Sequence, residues 1–321
     1  IGVVSIQTNV PPTLKLVGAR HRFYCSRQIH QTTIAMNCIL TSRRRFLKTS
    51  TLATAFALAR NPFPVATARE KVSGTDLVKL GVASYSLRKL PRADAIAAVK
   101  ALGTPYVNIK SFHLPYELPT DQLTAGRREF ETAGLSIVGG GTISLQKDTD
   151  EDIQGYFEYA RRSGMSLMVI APTTETLPRI EKFVKKYDIR VAIHNHGPED
   201  KHFPGPKDIL PLIKNMDPRV GLCVDIGHTA RTGVDVVQAL ADTGDRLLDM
   251  HVKDLRDLSD KSSQCIVGQG AMPMADIFRQ LIRMNYTGFA NLEYEIHADN
   301  PLPGMKESFS YMRGVLDTLK T

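Results

Sequence analysis

Between Leu80 and Leu319 the chain repeats one pattern eight times: a short apolar run, then a segment with helical spacing. The runs are Leu80–Ser84, Tyr106–Lys110, Leu135–Gly139, Leu167–Ala171, Val191–His194, Val220–Asp225, Leu247–His251 and Phe289–Glu293. Each has strand length. Between them, segments such as "RADAIAAVKALG" (92–103), "DEDIQGYFEYARRSG" (150–164) and "MADIFRQLIRMN" (274–285) place apolar residues three and four apart and stop at Gly or Asn. Eight strands and eight helices in strict alternation over roughly 250 residues predict a single-domain α/β fold, a (β/α)8 TIM barrel. A doubly wound open sheet is the rival, but it carries a Gly-rich phosphate loop after its first strand. Here the first run leads into Ser84-Tyr85-Ser86-Leu87. "VGGGT" (138–142) follows the third strand without that spacing, and reads as close backbone packing at a strand end.

The formal charge of +8 points toward nucleic acid until its distribution is considered. Residues 1–71 hold eleven Lys and Arg against the single acid Glu70, a net +10, so the remainder carries −2. The body is slightly acidic, which excludes a nucleic-acid partner on charge grounds. The basic N-terminus reads as an address. "SRRRFLK" (42–48) resembles the twin-arginine export signal, with Arg43-Arg44 as the pair. The apolar "TSTLATAFALA" (49–59) is too short to span a bilayer as a mature helix, and Ala66-Thr67-Ala68 offers a small-x-small cleavage site. The expectation is an upstream region and signal over 1–68 (the signal itself about 36–68, with Met36 as a start) and a barrel over 69–321, exported to the periplasm by the twin-arginine machinery without a stable membrane anchor. Cys223 and Cys265 remain after cleavage; neither forms a C-x-x-C pair, so no thiolate zinc site is indicated.

In a barrel of this kind, function sits at the C-terminal strand ends. Strand two ends in Lys110, with His113 beyond it. Strand five ends in His194 and His196, strand six in Asp225 and His228, strand seven in His251, Lys253 and Asp254, and strand eight in Glu293 and Glu295. Strand four offers only Glu175, past the rim. Residues two apart on a strand face the same way, so His194/His196, His251/Lys253 and Glu293/Glu295 each supply two groups on one side. A lone His is usually a hydrogen-bonded structural residue. Four successive strand ends carrying Asp, His or Glu point instead to one divalent ion (Mn, Zn, Co, Fe or Mg), since mixed N and O donors suit such ions and an uncompensated buried charge cluster is costly. "DTDEDI" (148–153) lacks the Gly and terminal Glu of a calcium loop and reads as a helix start. His202 reads as a loop residue, and Tyr294 turns outward if Glu293 turns in.

"CVDIGH", "MHVKD" and "LEYE" resemble the sugar phosphate isomerase/epimerase superfamily of xylose isomerase-like TIM barrels, over residues 78–320. The resemblance implies a divalent ion held by Asp225, His251 and Glu293, and a sugar or polyol substrate. The family's first Glu ligand is missing; His194 stands in "AIHNHG" where many relatives have it. Either His194 or His196 replaces it, or water fills the position. The two-Glu acid–base pair of the epimerases is therefore incomplete, and one-base chemistry through an enediolate-type intermediate fits better: isomerisation, dehydration or β-elimination. Lys110 and His228 are expected to contact substrate, and Lys253 and Glu295 to assist. The alternatives are a surface cation for Lys110 and an ion pair with Asp254 or Asp257 for Lys253. A catalytically inactive sugar-binding barrel is the second functional expectation. The expected partners are the small-molecule substrate and, in a homo-oligomer, further copies of the chain.

Overall fold

The eight apolar runs become a closed ring of parallel strands in a computed structural model of the chain, which describes residues 77–320. The strands are β1 (Lys79–Ala83), β2 (Tyr106–Ile109), β3 (Ser136–Leu145), β4 (Leu167–Pro172), β5 (Arg190–His194), β6 (Val220–Asp225), β7 (Leu247–Val252) and β10 (Phe289–Leu292). The ring closes where β1 pairs with β10, Lys79 opposite Phe289 through Val82 opposite Leu292. A two-stranded antiparallel excursion, β8 (Asp254–Leu255) with β9 (Gln264–Cys265), stands between β7 and the next helix. The signal and cleavage-site readings, and residues 69–76, lie outside the described residues.

Helices α1 (Arg92–Ala101), α2 (Thr120–Thr132), α3 (Asp150–Arg162), α4 (Leu177–Tyr187), α5 (Pro206–Ile213), α6 (Ile226–Arg231), α7 (Val236–Thr243), α8 (Met274–Arg283) and α9 (Leu302–Thr318) cover the ring. Local chemistry sets their ends. Thr149 caps α3 by accepting from the Asp152 backbone N–H at 3.3 Å, and three acids in its first turn with two arginines in its last match the helix dipole. Gly164 follows that helix at φ +73°, a left-handed stop. The expected eight helices are nine among the described residues. The extra one, α6, is a short turn nucleated by the rim itself: Asp225 ends β6 and caps α6 by accepting from the His228 backbone N–H at 2.9 Å. None of the helices described is long and apolar enough to cross a membrane.

A second difference is in β3, expected to end near Gly139. It runs on to Leu145, and "GGGT" lies inside it. The close packing is real: a Cβ at Gly140 would meet Met165 Sδ at 2.5 Å. Tyr294 does turn outward, but it is buried beneath α9, where its hydroxyl leaves room only for Gly304.

Most apolar side chains pack between strands and helices. Inside the ring a smaller apolar group, Leu167, Val169, Ala192 and Cys223, fills part of the barrel. The rest of that layer is polar. Asp249 is fully enclosed and accepts from Asn108 Nδ2 and Asn291 Nδ2, both at 2.8 Å. Burial pushes the Asp249 carboxyl up to about 6. The unfolded carboxyl ionises near 3.8, so between about pH 4 and 6 the unfolded state binds fewer protons and stability falls as pH rises. The component is about 2–3 kcal/mol. Asn108 Oδ1 and Asn291 Oδ1 have no partner, so a flipped amide can accept from an Asn at position 249. Asp249→Asn is expected to lose this slope and to match or exceed wild-type stability at pH 7. Urea unfolding of both proteins from pH 4 to 8 checks it; parallel pH profiles would refute it.

Candidate active site at the barrel mouth

The residues two positions further along the same strands form the mouth. Above Asn108, Ala192, Cys223, Asp249 and Asn291 stand Lys110, His194, Asp225, His251 and Glu293, all buried. This is the layered filling of a TIM barrel, produced by the period-two alternation of strand side chains. Four of the five converge: His194, Asp225, His251 and Glu293 bring ligand atoms within 4.8 Å of one another. His194 Nε2 lies 2.8 Å from His251 Nδ1 and 3.8 Å from Asp225 Oδ2, and His251 Nδ1 lies 3.2 Å from Glu293 Oε2.

Backbone anchors fix these ends. Asn195 ties β5 to β6: its Oδ1 accepts from the Asp225 N–H at 2.9 Å, and its Nδ2 donates to Thr229 Oγ1 at 3.1 Å. Ser86 accepts from the Tyr294 N–H at 2.8 Å and donates to the Leu292 carbonyl at 3.1 Å. Ser84 accepts from the Lys110 N–H at 2.8 Å. Gln264 reaches from β9, donating to the Glu293 carbonyl at 2.8 Å and accepting from the Glu295 N–H at 3.2 Å. Gln264→Ala leaves both groups unpaired, and is expected to cost about 1–3 kcal/mol in urea unfolding; a loss under half that lower figure would show the clamp to be idle.

Charge organises the mouth. Burial alone would raise the Glu293 pKa, but His251, Lys253 and Lys110 outweigh it and hold the carboxylate well below its usual range. Lys110 Nζ is 3.4 Å from Glu293 Oε1. Burial likewise opposes ionisation of Asp225, and Lys253 and His228 overcome it. Lys253 Nζ sits 3.1 Å from Asp225 Oδ2, 3.1 Å from Glu293 Oε2, and against Glu295. These carboxylates hold the Lys253 ammonium charged against burial. Burial lowers His194 well below its ordinary value, with His251 and His196 adding to the effect. Burial also takes His228 down to about 4, against the pull of Asp225. Arg231 Nη1 is 3.0 Å from His228 Nδ1. Lys253 Nζ stands 3.4 Å from Nε2, so a cationic donor faces each nitrogen of the neutral ring.

The sequence-predicted residues thus fall into three groups. His194, Asp225, His251 and Glu293 converge; Lys110, Lys253, His228 and Glu295 surround them. His196 stands outside the four. β5 stops at His194, so the two-residue alternation no longer applies, and His196 Nδ1 pairs with Asp200 Oδ2 at 3.1 Å on the rim. Neither bland expectation for the lysines holds: Lys110 is 5% exposed, and Lys253 pairs across the barrel. Asp254 instead accepts three loop N–H groups, from Gly268, Gly270 and Met272. His113 is structural, hydrogen bonded to Ser84 and the Leu87 carbonyl. Glu175 and His202 are exposed. Cys223 and Cys265 are free thiols. Asp249, Gln264 and Arg231 went unnoticed; Asp249 was legible in "LLDMHVKD", two positions before His251.

The mouth opens into a cavity of about 500 Å³, lined by Lys110, His194, His196, His228, Lys253, Glu293 and Glu295, with Tyr85, Phe112 and Tyr116 on its aromatic side. Residues 93–315 match the family described as the xylose isomerase-like TIM barrel. The chain belongs to that family. An inosose dehydratase of Lactiplantibacillus plantarum is 28% identical over 151 residues, covering 40% of this chain and 48% of the relative. The chain spans about half the length of the curated relatives it matches. A protein from Parabacteroides distasonis of known structure superposes at TM-score 0.59 with 25% identity, covering 74% of this chain and 99% of that one. The IOLI protein, solved with a zinc atom, superposes at TM-score 0.63 with 15% identity, covering 75% of this chain and 99% of its own, and shares the barrel fold.

Proposed function

We propose that this member of the xylose isomerase-like family is a divalent-metal-dependent enzyme that isomerises, epimerises or dehydrates a sugar, keto-sugar or polyol. The observation that carries the reading is the convergence of two imidazoles and two carboxylates from four strand ends, with His194 and Glu293 lining the cavity and Asp225 and His251 buried beside them. The donors fit an ion. Metal bonds of about 2.0–2.2 Å separate ligand atoms by about 3–4 Å, and the facing atoms here are 2.8–3.8 Å apart. Asp225 Oδ2 is buried and accepts no aligned hydrogen bond. His194 supplies the donor where relatives place a Glu. The far ring nitrogens of His194 and His251 lack hydrogen-bond partners, so packing orients the rings.

When bound, the ion supplies Lewis acidity toward a substrate carbonyl or hydroxyl oxygen. The chain's own groups do the rest. His228 presents a neutral ring to the substrate from the cavity wall. Lys110 positions a second oxygen and offsets negative charge developing on an enediolate. Glu293 is held by His251, Lys110 and Lys253, whereas Glu295 is partly exposed at the rim. Glu295 therefore anchors Lys253 from the rim side, and the proton moves through a single base at the mouth. The curated relatives named inosose dehydratase support the dehydrating version. Export by the twin-arginine route belongs to the same proposal, supported by "SRRRFLK" and the small-x-small site at 66–68.

On a substrate that carries a carbonyl, each of these reactions loosens the proton next to it. Incubating keto-sugars and keto-inositols with the protein in D2O, with and without added Mn²⁺, is expected to show metal-dependent deuterium uptake at that carbon by NMR. A second reading, an inactive sugar-binding barrel, is favoured by the His194 replacement. Binding of a sugar without exchange of any proton would establish it in place of the enzyme.

A further inference from the structure

The mouth already holds a cation. Lys253 Nζ lies 3.1 Å from both Asp225 Oδ2 and Glu293 Oε2, the two carboxylate oxygens nearest the paired imidazoles. Its other neighbours are Glu295 Oε1 and, at 3.4 Å, His228 Nε2. Gly227 leaves space for the lysine stem; a Cβ there would sit 3.0 Å from Lys253 Cβ and 3.3 Å from its Cδ.

An ion bonded to those two oxygens would lie within a few ångströms of the ammonium, and like charges at that separation repel strongly away from bulk water. Both cations cannot share the pair. The ammonium has one carboxylate outside the four-donor group: Glu295, at the rim and a third exposed. We infer that Lys253 and the divalent ion are alternative occupants of the Asp225–Glu293 pair, and that Glu295 is the berth that takes the ammonium when the ion enters. The inference rests on the metal reading above. It accounts for two buried carboxylates surviving ionised before loading, since a buried charge needs a partner. It also makes ion affinity a difference between two states of the same lysine. Lys253 and Glu295 are positioning residues in this exchange.

The roles have opposite signs. Removing the competitor tightens ion binding; removing the berth weakens it, because the ammonium then has nowhere else to go. Titration calorimetry with Mn²⁺ on the whole chain reads both. Lys253→Met is expected to bind Mn²⁺ about tenfold more tightly than wild type, and Glu295→Gln about tenfold more weakly. The double variant should match Lys253→Met within about twofold, since Glu295 acts only through the lysine. Without the ion, Lys253→Met should melt lower than wild type, and saturating Mn²⁺ should raise its Tm by more. If Lys253→Met does not fold, Glu295→Gln alone decides: weaker binding supports the exchange, and unchanged affinity overturns it. Lys253→Met binding one ion no more tightly than wild type overturns the exchange but leaves the metal site standing. Glu295→Gln weakening binding equally in the Lys253→Met background also overturns it. No ion on any of the four proteins removes the metal reading and the exchange with it.

Discussion

Glu293→Ala is expected to abolish divalent-ion binding and to destabilise the fold by about 3–5 kcal/mol, the cost of breaking a buried ion network from one side. The carboxylate faces two ammonium groups and one imidazole: Lys253 at 3.1 Å, Lys110 at 3.4 Å and His251 at 3.2 Å. Without it, Lys253 keeps Asp225 and Glu295, but Lys110 loses the carboxylate it faces while staying 5% exposed. Glu293→Gln separates the two effects. It preserves volume and one acceptor, so its stability cost should be smaller, but the anionic ligand is gone and ion affinity should fall by more than about 100-fold, beyond what losing an outer hydrogen bond does to a metal site. Urea unfolding with Mn²⁺ titration measures both. A Glu293→Ala protein within about 1 kcal/mol of wild type, well below the 3–5 kcal/mol of a broken buried network, would show that the charges around it are not coupled as described.

The second large effect lies on the opposite wall of the cavity. At Gly141, φ is +122°, and a Cβ would stand 2.0 Å from the Val169 carbonyl oxygen and 2.9 Å from the Ile143 backbone nitrogen. Both are backbone atoms of paired strands, so no side chain can swing aside. Gly141→Ala must part β3 from β4, and is expected to cost more than about 4 kcal/mol, in the range reserved for core disruption. Gly134 is the control. It has φ +79° with nothing within 4 Å of its Cβ position, so Gly134→Ala should cost only the left-handed strain, about 1–2 kcal/mol. Thermal unfolding of the two variants side by side makes the comparison; similar losses would mean that strain, rather than the Val169 contact, dominates at Gly141.

What could be read from the chain alone was periodic. Strand-length apolar runs placed seven strands to within a residue and the start of β3, and a barrel puts chemistry at strand ends, so His194, Asp225, His251 and Glu293 were legible before any geometry. The misses share one cause: they depend on distances across the barrel or on where regular structure stops. Glycines carry no alternation, so "GGGT" hid the far half of β3. His196 looked equivalent to His194 because the two-residue rule holds only while the strand continues, and β5 ends at His194. Lys253 has Asp254 and Asp257 as neighbours in sequence, but its partners Asp225, Glu293 and Glu295 lie at the ends of other strands. Asp249, a carboxylate below the rim, has no counterpart among rim motifs, although the same alternation that lifts His251 to the mouth places Asp249 one layer beneath it.

The central claim is that four side chains from four strands hold one divalent ion at the barrel mouth. Elemental analysis of the purified chain after equilibration with Mn²⁺ or Zn²⁺ and removal of free ion tests it most directly, with Asp225→Ala and His194→Ala alongside. The account predicts one ion per chain in wild type, none in Asp225→Ala, and marked loss in His194→Ala. Wild-type protein that retains no ion, or Asp225→Ala protein that retains it undiminished, would contradict the account.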